Sequence, residues 1–114
     1  MSILDGCAVA YAGKKEPVSK IVSEMVMEEA GVNQARVIST GQKVSSRGAA
    51  LANGTTGHAL DYDDTHFLFV GHPTSSALPT ALALGEELGS SIEDVFLAYM
   101  AGVEVSTRIG HILG

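Results

Sequence analysis

Apolar residues recur along this chain at helical spacing far more often than in strict alternation. Ile3, Leu4, Cys7, Ala8 and Tyr11 share one side of a helix predicted over residues 3–12, with Gly13 as its stop. Pro17 suits a first helical turn, and Val18, Ile21, Val22, Met25 and Val26 form one apolar stripe that ends before Gly31. The β-branched run at residues 36–40, RVIST, is the one strand candidate. Ser45 or Ser46 caps a third predicted helix reaching about Leu60, whose Ala-, Gly- and Thr-rich middle is a poor helix by propensity. Its small side chains would let a neighbouring backbone or a ligand come close. A loop over residues 61–73 follows.

A fourth helix is expected to start near Ser75 or Ser76, with Pro79 in its first turn, where no amide partner is lost. Leu78, Leu82 and Leu88 supply its apolar bulk, and Gly89 ends it. Ser91 followed by Asp94 has the spacing of a capping box. The last helix carries Phe96, Tyr99 and Val103 on one side, while Gly102, Ser106 and Gly110 recur every fourth residue as a groove for close packing. It runs toward Gly114 without a capping pattern, so the chain reads as a fragment. The expected fold is all-α: a helical bundle with at most one short strand pair, residues 1–114 forming a single incomplete domain.

Composition narrows the class. With 46% hydrophobic and 18% charged residues among 114, the chain is a globular domain and not a disordered one. No apolar run approaches the roughly 20 residues of a membrane span, and the basic residues of the N-terminal stretch follow its apolar part, the wrong order for a secretory signal. The lone Cys7 excludes an internal disulfide and points to a reducing cytoplasm; among Leu4, Ala8 and Tyr11 it is expected to pack as a core thiol. Residues 1–48 hold six Lys and Arg against five acids, whereas residues 49–114 hold only Arg108 against eight. That balance disfavours nucleic acid, which requires clustered cations.

Chemistry concentrates in residues 57–73, GHALDYDDTHFLFVGHP, which hold three of the four histidines and three of the five aspartates. Imidazoles that titrate near neutrality, set beside acids that tune them, are what proton transfer requires. Asp61, Thr65 and His72 would together supply a carboxylate, a hydroxyl and an imidazole for abstracting a proton next to a carboxylate and protonating a leaving hydroxyl. The competing reading makes the aspartates helix caps and the histidines surface groups, and the residues alone do not separate the two. Metal binding is the lesser alternative: neither HExxH nor a DxDxDG loop is present, and Asp63-Asp64-Thr65-His66 lacks the second acid of a DDxxD pattern. The GTTG of residues 54–57 has no basic residue for an RNA clamp and reads as close helix packing. His111, on an apolar helix, is expected to be a packing histidine.

The stretch AALANGTTGHALDYDDTH…GHPTSSALPTALALGEELG…DVFLAYMAGVEVSTRIG resembles the 2-methylcitrate dehydratase (MmgE/PrpD) family, and the opening ILDGCAVAYAG is similar to that family's first helix. Members include 2-methylcitrate dehydratase, cis-aconitate decarboxylase and iminodisuccinate epimerase. The resemblance implies an all-helical core domain, chemistry on a di- or tricarboxylate without a cofactor or metal, and a homodimer. It matches the family's active-site Asp and Thr to Asp61 and Thr65 and its HPS histidine to His72, here in HPT. His66, directly after the motif, is placed with Asp61, Thr65 and His72 in substrate binding. Family members are several times longer, and their further catalytic histidines and lysines have no counterpart here. The expected function is therefore that of a lyase fragment, 2-methylcitrate dehydratase-like, inactive alone. The alternatives are a decarboxylase or epimerase parent, or a stand-alone helical module that self-associates.

Overall fold

The computed structural model describes residues 2–29, 31–58 and 73–113. In chain order they form α1 (Ser2–Ala12), a 3₁₀ turn (Gly13–Lys15), α2 (Pro17–Glu28), β1 (Ala35–Arg36), β2 (Lys43–Val44), α3 (Ser46–His58), α4 (Pro73–Leu88) and α5 (Ile92–Leu113). The mostly-α expectation holds, with one strand pair. That pair is antiparallel, with Ala35 opposite Val44 and Arg36 opposite Lys43. It is shorter and earlier than the predicted strand. After Val37 the chain turns, the Gly41 amide reaching back to the Val37 carbonyl at 2.7 Å. Gly41 sits at φ 74°, a left-handed conformation that glycine adopts without the Cβ penalty.

The central helix is α3, and it packs on α1, α2 and α4 through small residues. Gly48, Ala49, Ala52, Asn53, Thr56 and Gly57 are all buried. A Cβ on Gly48 would stand 3.4 Å from both Val26 and Val44 side chains, so the hairpin and α2 rest almost on the α3 backbone. Ser45 caps α3 by accepting the Gly48 amide at 3.1 Å. One core cluster joins Val26, Ala35, Val37, Val44, Ala49, Ala52 and Ala83. A second, between α4 and α5, holds Leu78, Ala81, Val95 and Tyr99, with Ile3 and half-buried Cys7 of α1 packed against it. Cys7 thus packs at the edge of this cluster, half-buried, while Leu4 and Tyr11, expected around it, are exposed.

Several faces differ from expectation. Helix α2 buries Ser19, Ser23 and Val26, not its full apolar stripe; Val18, Ile21 and Met25 are exposed. The serines tolerate burial because both are satisfied. Ser19 Oγ donates to the Gly13 carbonyl at 2.7 Å, and Ser23 Oγ pairs with Ser39 Oγ at 2.9 Å. Leu4, Tyr11, Leu88 and Phe96 also face outward. His111 is exposed rather than packed. Helix α4 begins at Pro73, earlier than predicted, because a proline at the first position brings a helical φ at no hydrogen-bond cost. Pro79 consequently lies inside the helix, where the missing N–H leaves the Ser75 carbonyl without its usual amide donor.

The ends of α4 and α5 follow their sequence signals. Gly89, at φ 66°, closes α4 with the Ser90 amide on the Gly85 carbonyl at 2.9 Å, a Schellman arrangement. Ser91 Oγ then accepts the Asp94 amide at 3.2 Å to open α5. Among the described residues, no helix is long and apolar enough to cross a membrane.

Candidate functional site

The four predicted site residues, Asp61, Thr65, His66 and His72, lie outside the described residues, as do Asp63 and Asp64. What the fold shows is the frame on which their segment is mounted. His58, the last described residue of α3, is exposed, and Pro73 opens α4.

Helix order is read from facing positions. Ala49 and Ala52 pack with Ala83, whereas Gly57, further along α3, shares an apolar slot with the earlier α4 residues Leu78 and Pro79, so α3 and α4 run antiparallel. Gly85 faces Val95, and Ala77 faces Gly102, so α4 and α5 are antiparallel too. The C-terminus of α3, the N-terminus of α4 and the C-terminus of α5 therefore share one end of the bundle. The Gly102–Ala77 approach, 3.4 Å from an added Cβ, shows close packing at the first position of the small-residue repeat predicted in α5.

Rigidity of the frame comes from a polar clamp that the sequence reading missed. Asn53 is only 4% exposed. Its Oδ1 accepts the Ile38 amide at 2.7 Å and its Nδ2 donates to the Arg36 carbonyl at 2.9 Å. One side chain of the central helix thus satisfies two backbone groups of the hairpin loop. An asparagine amid Ala-Ala-Leu-Ala was the available signal, since an amide there must find partners inside. On the same side Arg36 is tied to α4, its amide donating to Glu86 Oε1 at 2.6 Å, while Gln34 Nε2 donates to Glu87 at 2.9 Å.

Two buried side-chain atoms have no such partner among the described residues, Thr56 Oγ1 and Thr107 Oγ1. Arg108, the one cation beyond residue 48, is held by Glu104 at 2.7 Å on an exposed face of α5. The Lys14 ammonium hydrogen-bonds and attracts the Tyr11 phenol, holding its pKa below the ordinary tyrosine range; Lys14 Nζ lies 3.9 Å from the ring centre. Among the described residues, no group of three or more His, Cys, Asp or Glu is placed to hold a metal.

A helical domain dominated by close small-residue packing, with an Asp- and His-rich connection joining two helices at one end, is the architecture on the page. Residues 1–114 match the MmgE/PrpD N-terminal domain, and the chain belongs to that family. Within it, the chain is 36% identical over 113 residues to cis-aconitate decarboxylase of Aspergillus terreus, an alignment covering 95% of this chain and 23% of the fungal protein. It is 39% identical over 67 residues to the human cis-aconitate decarboxylase, covering 55% of this chain and 14% of the human protein. The mouse cis-aconitate decarboxylase aligns over the same length at the same identity. The chain thus spans less than a quarter of the length of these relatives.

Proposed function

We propose that this chain is the N-terminal part of a cofactor-independent lyase acting on a small di- or tricarboxylate of the citrate type. The observation that carries the reading is family membership over all 114 residues, joined to 36% identity with a protein named for decarboxylating cis-aconitate. That name makes cis-aconitate the first substrate to test and 2-methylcitrate the second. Asp61 orients or receives a proton, helped where burial raises its pKa. Thr65 holds a substrate oxygen by its hydroxyl. His72 donates a hydrogen bond to a substrate carboxylate and serves as acid for the leaving group, an imidazole being the side chain whose ordinary titration lies nearest neutrality. His66 adds a substrate contact.

Alone, the 114-residue chain is inactive on this reading, because Arg108 is its one Lys or Arg beyond residue 48 and a tricarboxylate needs more. It self-associates through α5, whose Leu97, Met100, Ile109 and Ile112 are exposed. The test is Asp61→Asn and His72→Gln in the intact polypeptide, with product followed by NMR and folding checked by melting temperature. Each change should lower kcat/KM by about 10²–10⁴-fold, the usual loss for a positioned acid or base. Both variants staying within a few-fold of the parent would make the segment structural. Sedimentation of the 114-residue chain as a clean monomer at high micromolar concentration would refute self-association.

A further inference from the structure

The chain holds two asparagines, and residue type and exposure rank them oppositely for deamidation. Asn33 precedes Gln34 and is exposed, whereas Asn53 precedes Gly54 and is buried. An asparagine Cγ is open to attack by the main-chain nitrogen of the next residue. That nitrogen loses its proton and bonds to Cγ; the Cγ–Nδ2 bond breaks and the amide leaves as ammonia. Water then opens the succinimide at either carbonyl, to aspartate or to isoaspartate, whose main chain is longer by a methylene. Water is the only co-reactant. Glycine puts no Cβ beside the attacking nitrogen, so residue type places the lability at Asn53.

The fold withholds each part of that reaction. Asn53 lies inside α3 and is 4% exposed. Ring closure requires its ψ to leave the helical value, and within a helix the Gly54 N–H is directed at the carbonyl four residues back. The side chain is also held away, Oδ1 on the Ile38 amide at 2.7 Å and Nδ2 on the Arg36 carbonyl at 2.9 Å. The same two bonds make either product a misfit. A carboxylate only accepts, so an aspartate could keep the Ile38 amide but would set a negative oxygen against the Arg36 carbonyl. Isoaspartate would lengthen the main chain between Ala52 and Thr56, both fully buried.

We propose that Asn53–Gly54 is a deamidation site gated by the fold: the closed clamp suppresses the reaction, and each opening of α3 risks losing the clamp for good. Chemical change of an open state is a recognised route by which unfolding becomes irreversible. Here the group that locks the hairpin to the central helix is itself the group that reacts.

The test holds the intact polypeptide at mildly alkaline pH, in native buffer and in concentrated urea. Peptide mapping then follows aspartate and isoaspartate at residues 53 and 33. In urea Asn53 should convert ahead of Asn33 and yield both products. In native buffer Asn53 should slow by about a hundredfold or more, because only the open fraction reacts, while exposed Asn33 calibrates the two media. The same Asn53-to-Asn33 ratio in both media overturns the gating. Failure to find isoaspartate at residue 53 in urea overturns the chemistry. The consequence is read from Asn53→Asp, which should have a lower urea midpoint than the parent; an equal midpoint overturns it. Should that variant not fold, parent deamidated in urea and then diluted from it gives the same comparison. Its deamidated fraction should refold in smaller yield than the fraction that kept the amide, and equal yields overturn the proposal.

Discussion

Replacing Gly85 by alanine is the sharpest test of the helix register described above. An ideal Cβ there would lie 2.5 Å from Val95 Cγ2, whereas carbon atoms in contact sit about 3.5–4.0 Å apart. The shortfall of about 1 Å or more cannot be absorbed by rotation, because a valine in a helix has essentially one χ1 rotamer and Val95 is buried. The α4–α5 pair must therefore separate. Overpacking of this kind costs about 1–3 kcal/mol, against about 1 kcal/mol gained by giving a helix alanine in place of glycine. The net expectation is a loss of up to about 2 kcal/mol, read as a lower urea midpoint at unchanged slope. A double-mutant cycle isolates the cause. Val95→Ala alone leaves a hole, but with Gly85→Ala already present the new methyl occupies part of it. The pair should therefore be less destabilised than the sum of the singles by about 1–3 kcal/mol. A clear gain in stability for Gly85→Ala, or strict additivity in the cycle, would refute the register.

Asn53→Ala removes both hydrogen bonds of the hairpin clamp and leaves the Ile38 amide and Arg36 carbonyl to find other partners; a loss of about 2–4 kcal/mol in chemical denaturation is expected. Thr56→Val keeps the shape of an enclosed side chain while deleting an unpartnered hydroxyl, so the melting temperature should hold or rise, and a clear fall would show that the hydroxyl is bonded. Tyr11 should titrate below an ordinary tyrosine in ultraviolet difference spectra, and Lys14→Met should return it upward. The sign follows from a depressed folded-state pKa. The Lys14–Tyr11 contact favours the folded chain above the ordinary tyrosine range, and that preference is lost as pH falls through the lowered value. An unchanged Tyr11 titration in Lys14→Met would remove the assigned cause.

The helices were legible because their starts and stops are local chemistry. Pro17, Ser45, Gly89 and Ser91 each act through a backbone bond or angle within one turn, and each lies where the pattern placed it. Which face is buried was less legible. Periodicity nominated Val18, Ile21 and Met25 on α2, yet Ser19 and Ser23 are inside, because their partners at Gly13 and Ser39 come from folding the chain back on itself. The start of α4 was misplaced for a related reason: Pro79 was given a first-turn role that Pro73 fills. The Asp, Thr and His of the 61–72 segment were legible through residue type and family motif, not through geometry. Asn53 carries no motif at all, and its weight rests on partners that only three-dimensional packing reveals.

The contact surfaces of α3 are built from Gly48, Ala49, Ala52 and Gly57, with Ala10 and Ala83 facing them from α1 and α4. Such a core has an asymmetric response to mutation. Truncation scanning removes almost nothing from side chains that already end at Cβ, so an alanine scan would report much of this interior as indifferent. Enlargement meets packed neighbours, as at Gly48 beside Val26 and Val44, and a scan to leucine or valine would trace the interhelical contacts. Variation among related chains should show the same skew, with size rather than polarity limiting what these positions accept. For this domain the informative deep-mutational axis is therefore volume added, and tolerance maps built from loss of side chain would mistake its most constrained positions for its freest.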